Sequence, residues 1–337
     1  MEALNHKDKK IAVLCGGRSG EREVSLRSGT ACYDAFLRKG YDVRLIDIAD
    51  DGALLDIVTQ KPDIAFLALH GKGGEDGTIQ GYLETLGIPY TGSGILASAL
   101  AINKSRTKDI YRQNNLPTPD SLTFVRSDFD TSSEKNTNYV SQLASAAKTI
   151  VEKCGLACVI KPTTEGSSLG MTIAKKNEDV ISGLELALRV DREVIVEEFI
   201  SGTELTVGVM GYENPQPFAP IQINVTSEEF YNFEAKYATG GSTHICPAPV
   251  ADKITQIAQK MAVAAHKALG CGGVSRTDMI LDDAGNLYLL ETNTIPGMTE
   301  TSLIPDAAAE AGIPFDDLCE KVLFMALSHN KVLVDGD

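Results

Sequence analysis

The chain of 337 residues is missing the marks of several common protein classes. No apolar run approaches the ~20 residues that span a bilayer, so no membrane partner is expected. The opening MEALNHKDKK leads into a strand with no apolar signal region after its charges. No basic stripe or cluster occurs, and 31 basic against 46 acidic residues give a formal charge of −15. Sustained nucleic-acid binding needs a basic surface, which argues against that partner. An anionic ligand such as ATP stays open, because a few local lysines and a divalent metal can supply the positive charge. No CxxC pair occurs among the seven cysteines, Cys15, Cys32, Cys154, Cys158, Cys246, Cys271 and Cys319. Their odd number fits a reduced cytoplasmic compartment, and Cys154 and Cys158 have no second Cys/His pair at zinc spacing. GxxxxGK[ST] is absent, and GxGxxG does not follow the first strand, which disfavours a P-loop protein and a nicotinamide dehydrogenase. There is no internal repeat and no low-complexity tract.

What is present is ordinary globular composition, 43% apolar and 23% charged. Domains cluster near ~100–150 residues, so two or three are expected. IAVLC at 11–15 is a short apolar run ending at Gly16-Gly17, a buried strand feeding a tight turn. Ser25 to Lys39 has helical spacing, with Leu26, Cys32 (or Tyr33), Phe36 and Leu37 apolar and Gly40 as stop. Strands at 41–48 and 64–69 continue the alternation, which predicts a parallel sheet covered by helices up to about residue 100. A helix at 104–117, a polar loop or helix start at 126–141, and strands at 157–161, 171–174 and 193–199 form a second part. It ends at Ser201-Gly202. Strands at 204–211 and 217–223, an irregular stretch at 226–248, a helix at 250–269, strands at 274–282 and 286–292, and closing helices (315–328 the clearest) form the third. The expected units are therefore 1–100, 101–201 and 202–337, an α/β domain followed by two α+β parts.

Residues 276–293 read RTDMILDDAGNLYLLETN, two apolar runs around Asp-Ala-Gly-Asn, which predicts a hairpin. Pairing Asp283 with Asn286 sets Asp278 opposite Glu291 and Arg276 opposite Asn293. Period-two alternation puts these four on one face, with Met279, Leu281, Tyr288 and Leu290 on the core side. Opposed carboxylates repel, so two of them plus an amide oxygen call for a cation. Hard oxygen ligands suit magnesium. The alternative is a solvated face with both carboxylates near Arg276.

Three loops add to this. Lys161 ends a strand and precedes Thr-Thr-Glu-Gly-Ser-Ser-Leu-Gly at 163–170. Backbone N–H groups in such a loop can close over phosphates, as a kinase Gly-rich cover does, or it is a plain flexible turn. Glu21 and Glu23 sit where a helix N-terminus would otherwise meet phosphate. They suit an ammonium ligand, or simply favour the helix dipole. His70 opens HGKGGEDG after the third strand, where open α/β sheets bind ligands. By itself His70 reads more readily as filling a buried turn than as a substrate contact.

GGRSGEREVS (16–25), LHGKGGEDGTIQG (69–81), PYTGSG (89–94), IKPTTEGSSLGM (160–171), FEAKY (233–237), SRTDMIL (275–281) and LLETNTIPGMTETSL (289–303) together resemble the D-alanine–D-alanine ligases of the ATP-grasp group. The resemblance runs through almost the whole chain in the expected order. It implies an N-terminal α/β substrate-binding domain and a two-part ATP-grasp fold with ATP between the parts. By position, Lys104, Lys161, Ser168 and Lys236 would contact the nucleotide phosphates. Glu197, Glu198, Phe199 and Ile200 would form the adenine-side hinge, with Glu204 at the ribose. Asp278, Glu291 and Asn293 would hold two magnesium ions, for which manganese can substitute. Glu21 would take the ammonium of the first D-alanine, with Ser167 and Tyr237 hydrogen-bonded to it as part of a lid, and His70 at the substrate. Arg276 and the N–H of Gly297 would form an oxyanion site, and Ser302 and Leu303 would hold the second carboxylate. The resemblance also implies an acyl-phosphate intermediate, a role in peptidoglycan precursor synthesis and a homodimer.

The chain departs from the family pattern in places. It has Glu291-Thr292-Asn293 where Glu-Ala-Asn is frequent, and Thr294-Ile295-Pro296 where Thr-Ser-Pro is frequent. Its hinge reads Glu-Glu-Phe-Ile where a lysine often stands second, which leaves the contact of Glu198 open. Family members that make D-alanyl-D-lactate lack the tyrosine at the position of Tyr237, so the resemblance implies the dipeptide as product. The rivals are an ATP-grasp ligase for another carboxylate and amine, sharing the hairpin but not Glu21, Tyr237 and Ser302, and a regulatory nucleotide binder, which should have lost a ligand or a phosphate lysine.

Overall fold

A computed structural model describes residues 7–129, 137–166, 169–225, 242–299 and 301–335. The chain begins with β1 (Lys10–Cys15), α1 (Arg22–Arg38), β2 (Asp42–Asp47), α2 (Ala53–Gln60), β3 (Ile64–Leu67), α3 (Thr78–Thr85) and α4 (Ile95–Ile102). The strands form a parallel sheet in the order β2-β1-β3, as the alternation predicts. Ile11 to Cys15 are all buried, because helices cover both faces of such a sheet. Helix α1 starts at Arg22, earlier than Ser25. It buries Val24, Cys32, Ala35 and Phe36, while Leu37 is 48% exposed. Leu37 thus leaves the expected apolar face: neighbouring helical positions point ~100° apart, and Phe36 takes the inward one. Gly40, at φ 79°, stops the helix in the left-handed region that glycine adopts without strain.

The second part holds α5 (Lys104–Gln113), β4 (Ser121–Val125), α6 (Thr137–Cys154), β5 (Cys158–Pro162), β6 (Thr172–Ala174), α7 (Asn177–Val190) and β7 (Glu193–Glu198). Its sheet runs β4-β7-β5-β6, antiparallel throughout. Ile150 and Leu184 from the helices pack with Ile160 and Val196 from the strands in one core. Asn103 caps α5 by accepting from the Arg106 N–H at 3.0 Å.

The third part holds β8 (Thr203–Met210), β9 (Gln216–Pro217), β10 (Ile221–Val225), β11 (Ser242–Ile245), α8 (Asp252–Leu269), β12 (Val274–Leu281) and β13 (Leu287–Asn293). The strand order is β11-β10-β8-β12-β13, with β9 on β8. Strand β11 corrects the expectation of irregular chain up to residue 248, since Ser242–Ile245 pairs with β10. Two helices close the chain, α9 (Leu303–Glu310) and α10 (Phe315–Asp335). Helix α10 packs back on α1, so that Leu318, Cys319 and Leu323 share a core with Cys32 and Phe36. No described helix is long and apolar enough to cross a membrane.

The hairpin pairs Arg276 with Asn293 and Asp278 with Glu291, as expected. It reaches that register by another route. The Asp282 N–H donates to the Asn286 carbonyl at 2.9 Å, so the turn closes on this pair and not on Asp283. Asp282 Oδ1 also accepts from the N–H groups of Ala284 and Asn286, which fixes a three-residue loop. Pairing then runs one residue off the expected register until an irregularity between Asp278 and Met279 leaves Leu290 as the extra residue on β13. The core side of β13 is therefore Leu287 and Leu289, with Tyr288 and Leu290 only half-buried.

Candidate active site

One cleft gathers Glu21, His70, Lys104, Glu204, Arg276, Asp278, Glu291, Asn293, Gly297, Ser302 and Leu303. These come from every part of the chain. Lys161, Glu197, Glu198, Phe199 and Ile200 are not among its lining residues. Ser167, Ser168, Lys236 and Tyr237 lie outside the described residues.

At the hairpin end, Arg276 makes a two-pronged contact with Asp278, Nε to Oδ1 at 2.9 Å and a terminal nitrogen to Oδ2 at 2.8 Å. Thr206, opposite Asp278 on β8, donates to Oδ1 at 2.5 Å, and the Asn293 amide donates to Oδ2 at 3.3 Å. Glu291 has its own cation, with Lys104 Nζ at 3.2 Å. The two opposed carboxylates are thus held apart electrically by Arg276 on one side and Lys104 on the other. Among the described residues no three His, Cys, Asp or Glu side chains cluster tightly enough to hold a metal by themselves. Two carboxylates and an amide still fit magnesium, which takes hard oxygen donors and completes its shell with water and substrate phosphates. They do not fit a fully protein-enclosed site.

The neighbouring segment is pinned from two directions. His70 Nδ1 meets the Ile295 carbonyl at 3.0 Å, and a carbonyl only accepts, so Nδ1 carries the hydrogen. Burial pushes the His70 imidazole below its ordinary pKa, and the neutral ring's Nε2 then accepts from the Ser28 hydroxyl at 3.1 Å. Ser28 Oγ also accepts the Met298 N–H at 3.2 Å. Glu75 accepts from the Ile295 N–H at 3.3 Å and the Gly71 N–H at 2.8 Å. His70 therefore fills a buried turn as expected, and it also lines the cleft while fixing the 294–297 segment through Ile295. At Gly297 an added Cβ would stand 2.9 Å from Ser302 Oγ, so glycine allows that close approach. Ser302 stands just before α9 without capping it through its side chain, and its hydroxyl pairs with Thr299 at 2.7 Å.

Glu21 lies at the N-terminus of α1 without capping it through its side chain. A Cβ at Gly166 would sit 2.6 Å from Glu21 Oε2, so the Gly/Ser loop reaches across the cleft to this carboxylate. Lys104 Nζ donates to the Glu165 carbonyl at 2.8 Å, and the Lys72 ammonium pairs with the Glu165 carboxylate. The loop is therefore tied to α5 of its own part and to the N-terminal part. Glu75, half-buried near Glu21, has its carboxyl pushed up to about 8, first by burial and then by the charge of Glu21. Two acids at this end suit a cationic ligand group.

The hinge strand gives a different picture from its sequence. Glu197 is 1% exposed, and its Oε2 binds Lys161 Nζ at 2.9 Å. Lys108 Nζ lies 3.3 Å from the other oxygen. Glu198 turns the other way and accepts from the Asp120 N–H at 3.0 Å, while Phe199 is 43% exposed. Glu75 and Lys108 were missed from the sequence. Lys108 had a signal, because it stands one helical turn after Lys104 on the same face of α5. Tyr111 extends that face, its hydroxyl 2.7 Å from Thr292 Oγ1. Glu75 had none beyond lying in the same loop as His70.

Comparison with known proteins follows the same outline. The family profile described as "D-ala D-ala ligase C-terminus" matches residues 110–324. The profile "D-ala D-ala ligase N-terminus" matches 10–60 and 55–93. A D-alanine–D-alanine ligase of Pelotomaculum thermopropionicum is 46% identical over 320 residues, 95% of this chain and 97% of the relative. That of Carboxydothermus hydrogenoformans is 45% identical, over 94% and 98%. Among solved structures, the D-alanine–D-alanine ligase of Bacillus anthracis complexed with ATP superposes with a TM-score of 0.76 at 30% identity, covering 96% of this chain and 99% of that one. A D-Ala:D-Ser ligase from Enterococcus faecalis gives 0.79 at 30% identity, covering 95% and 100%.

Proposed function

The chain belongs to the D-alanine–D-alanine ligase family, and on that premise we propose that it joins two D-alanines at the expense of ATP, releasing ADP and phosphate. The observation that carries the reading is the single cleft that holds Asp278 opposite Glu291 at one end and Glu21 at the other. A phosphate-handling end and an ammonium-binding end are what an amino-acid carboxylate needs for activation. The related ligase complexed with ATP supports ATP as the second substrate.

In the first step the carboxylate of one D-alanine attacks the γ-phosphate, giving an acyl phosphate and ADP. Glu21 holds the ammonium of that D-alanine and so aims its carboxylate at the nucleotide. Asp278, Glu291 and Asn293 would hold magnesium, which would supply charge neutralisation at the phosphates when bound. Lys104 leaves Glu291 for the phosphates as they arrive, Lys161 and Lys236 share that role, and Ser168 has its part in binding ATP. Glu197 to Ile200 receive the adenine and Glu204 the ribose. In the second step the free amine of another D-alanine attacks the acyl carbon. The tetrahedral oxyanion is met by Arg276 and the Gly297 N–H, and the collapse expels phosphate. Ser302 and Leu303 hold the second carboxylate. The loop around Gly166, with Ser167 and Tyr237, keeps water from the acyl phosphate. The product feeds peptidoglycan precursors in the cytoplasm, and the working form is a homodimer.

A second reading is favoured by the similarity to a D-Ala:D-Ser ligase, with D-serine as the second substrate at the Ser302 end. The test is ADP release with magnesium ATP across D-alanine, D-serine, D-lactate and L-alanine. ADP release should require D-alanine. A larger rate with D-alanine plus D-serine than with D-alanine alone would shift the assignment to the second reading.

A further inference from the structure

Lys108 is a fully buried lysine, and the ligation mechanism above gives it no role. Its Nζ donates to Thr118 Oγ1 at 2.7 Å and lies 3.3 Å from Glu197 Oε1. Thr118 passes its own hydrogen to the Leu289 carbonyl at 2.8 Å, so the lysine is fixed between α5, β7 and the β12–β13 hairpin. Glu197 therefore has two cations, one on each oxygen: Lys161 at 2.9 Å and Lys108 at 3.3 Å. Burial works to raise the pKa of Glu197, and the two lysines override it and hold it below the usual carboxylate value.

One carboxylate needs only one cation to be neutral. The second lysine makes sense if the first is to be shared. Lys161 keeps 15% of its side chain exposed and borders the Gly/Ser loop, whereas Lys108 keeps none. A lysine that moves to an incoming phosphate leaves its carboxylate behind. Here that carboxylate is almost wholly enclosed, and an uncompensated buried charge is strongly destabilising. With Lys108 on the other oxygen, Glu197 stays paired while Lys161 turns to the nucleotide.

We propose that Lys108 is a positioning residue for nucleotide binding, a buried counter-ion that keeps Glu197 in place and frees Lys161 for a phosphate. This rests on the reading that the site takes ATP. Lys108→Met keeps an unbranched side chain, one atom shorter, and removes its charge. Titration calorimetry with magnesium ADP should show binding weakened at least ~10-fold, because Lys161 must then abandon a buried anion. Competition by adenosine, which has no phosphate to draw Lys161 away, should stay within about two-fold of the wild type. KM for D-alanine should hardly move. Thr118→Val removes the hydroxyl that orients Nζ and should give the same pattern more weakly; it serves if the melting curve shows that Lys108→Met is not folded. Unchanged ADP affinity, or equal losses for ADP and adenosine, would overturn the inference, the second because it marks general damage to the hinge. A wild-type chain that binds magnesium ADP but makes no dipeptide would refute the ligase reading and leave this test standing. A wild type that binds no ADP would sink both.

Discussion

At one end of the cleft Arg276, Asp278, Glu291 and Asn293 come from a single hairpin, brought together by antiparallel pairing. At the other end Glu21, His70, Glu75 and Gly166 come from three loops that meet only because the N-terminal sheet, the Gly/Ser loop and the 294–297 segment pack on one another. The hairpin end is neutralised by cations from within the protein, Arg276 on Asp278 and Lys104 on Glu291. The loop end carries an acid, Glu75, whose carboxyl is pushed up to about 8. The first end is built on paired strands and holds two carboxylates and an amide, hard oxygen donors of the kind that suit magnesium. The second is assembled by contact and brings two acids, Glu21 and Glu75, to the cleft.

The largest effect should come from the hairpin. Asp278→Ala removes a metal ligand and the partner of Arg276 together, and turnover should fall at least ~10³-fold with the circular dichroism spectrum unchanged. Near-normal turnover would separate the hairpin from the chemistry and break the contrast between the ends. The loop end should respond differently. Glu21→Gln keeps the shape and loses the charge, so KM for the first D-alanine should rise ~10- to 100-fold while KM for ATP holds, as expected for a lost charge-assisted hydrogen bond. A rise confined to ATP would place the ammonium elsewhere.

Glu75 gives the smallest and sharpest test. Its folded pKa of about 8 stands above the ordinary carboxyl value of 4.5, so the folded chain holds a proton that the unfolded chain has lost between those values. The stability this contributes is fully present below the unfolded value and disappears as pH rises through about 8. Melting temperature of the wild type should therefore decline from pH 5 to pH 9 more than that of Glu75→Gln, measured without ligands. Parallel declines would mean that Glu75 carries no such proton.

The two ends also differ in how far the sequence discloses them. The pairs Asp278–Glu291 and Arg276–Asn293 follow from alternation and a turn signal, because a hairpin is a local object. Even there, two offsetting departures lay hidden. Asp282 closes the turn one residue early, and the bulge at Leu290 restores the register exactly where the carboxylates stand. Nothing in period-two alternation marks an extra residue. The parallel sheet was legible for the same local reason, since β1 is an unbroken apolar run. The packing of α10 on α1 was not, because periodicity gives a helix an apolar face without naming its partner. Glu75 stayed invisible, and Lys108 showed no more than its helical spacing from Lys104, because burial, not residue type, gives them their properties. Lys108 looks like any surface lysine until Glu197 is found facing it from β7.

The most direct test is to mix the purified chain with D-alanine, ATP and magnesium, and to count product against nucleotide. The expected result is D-alanyl-D-alanine and ADP appearing in equal amounts, with neither formed when D-alanine or magnesium is left out. ADP released at the same rate without D-alanine, or no dipeptide while ADP accumulates, would contradict the coupling of the two ends.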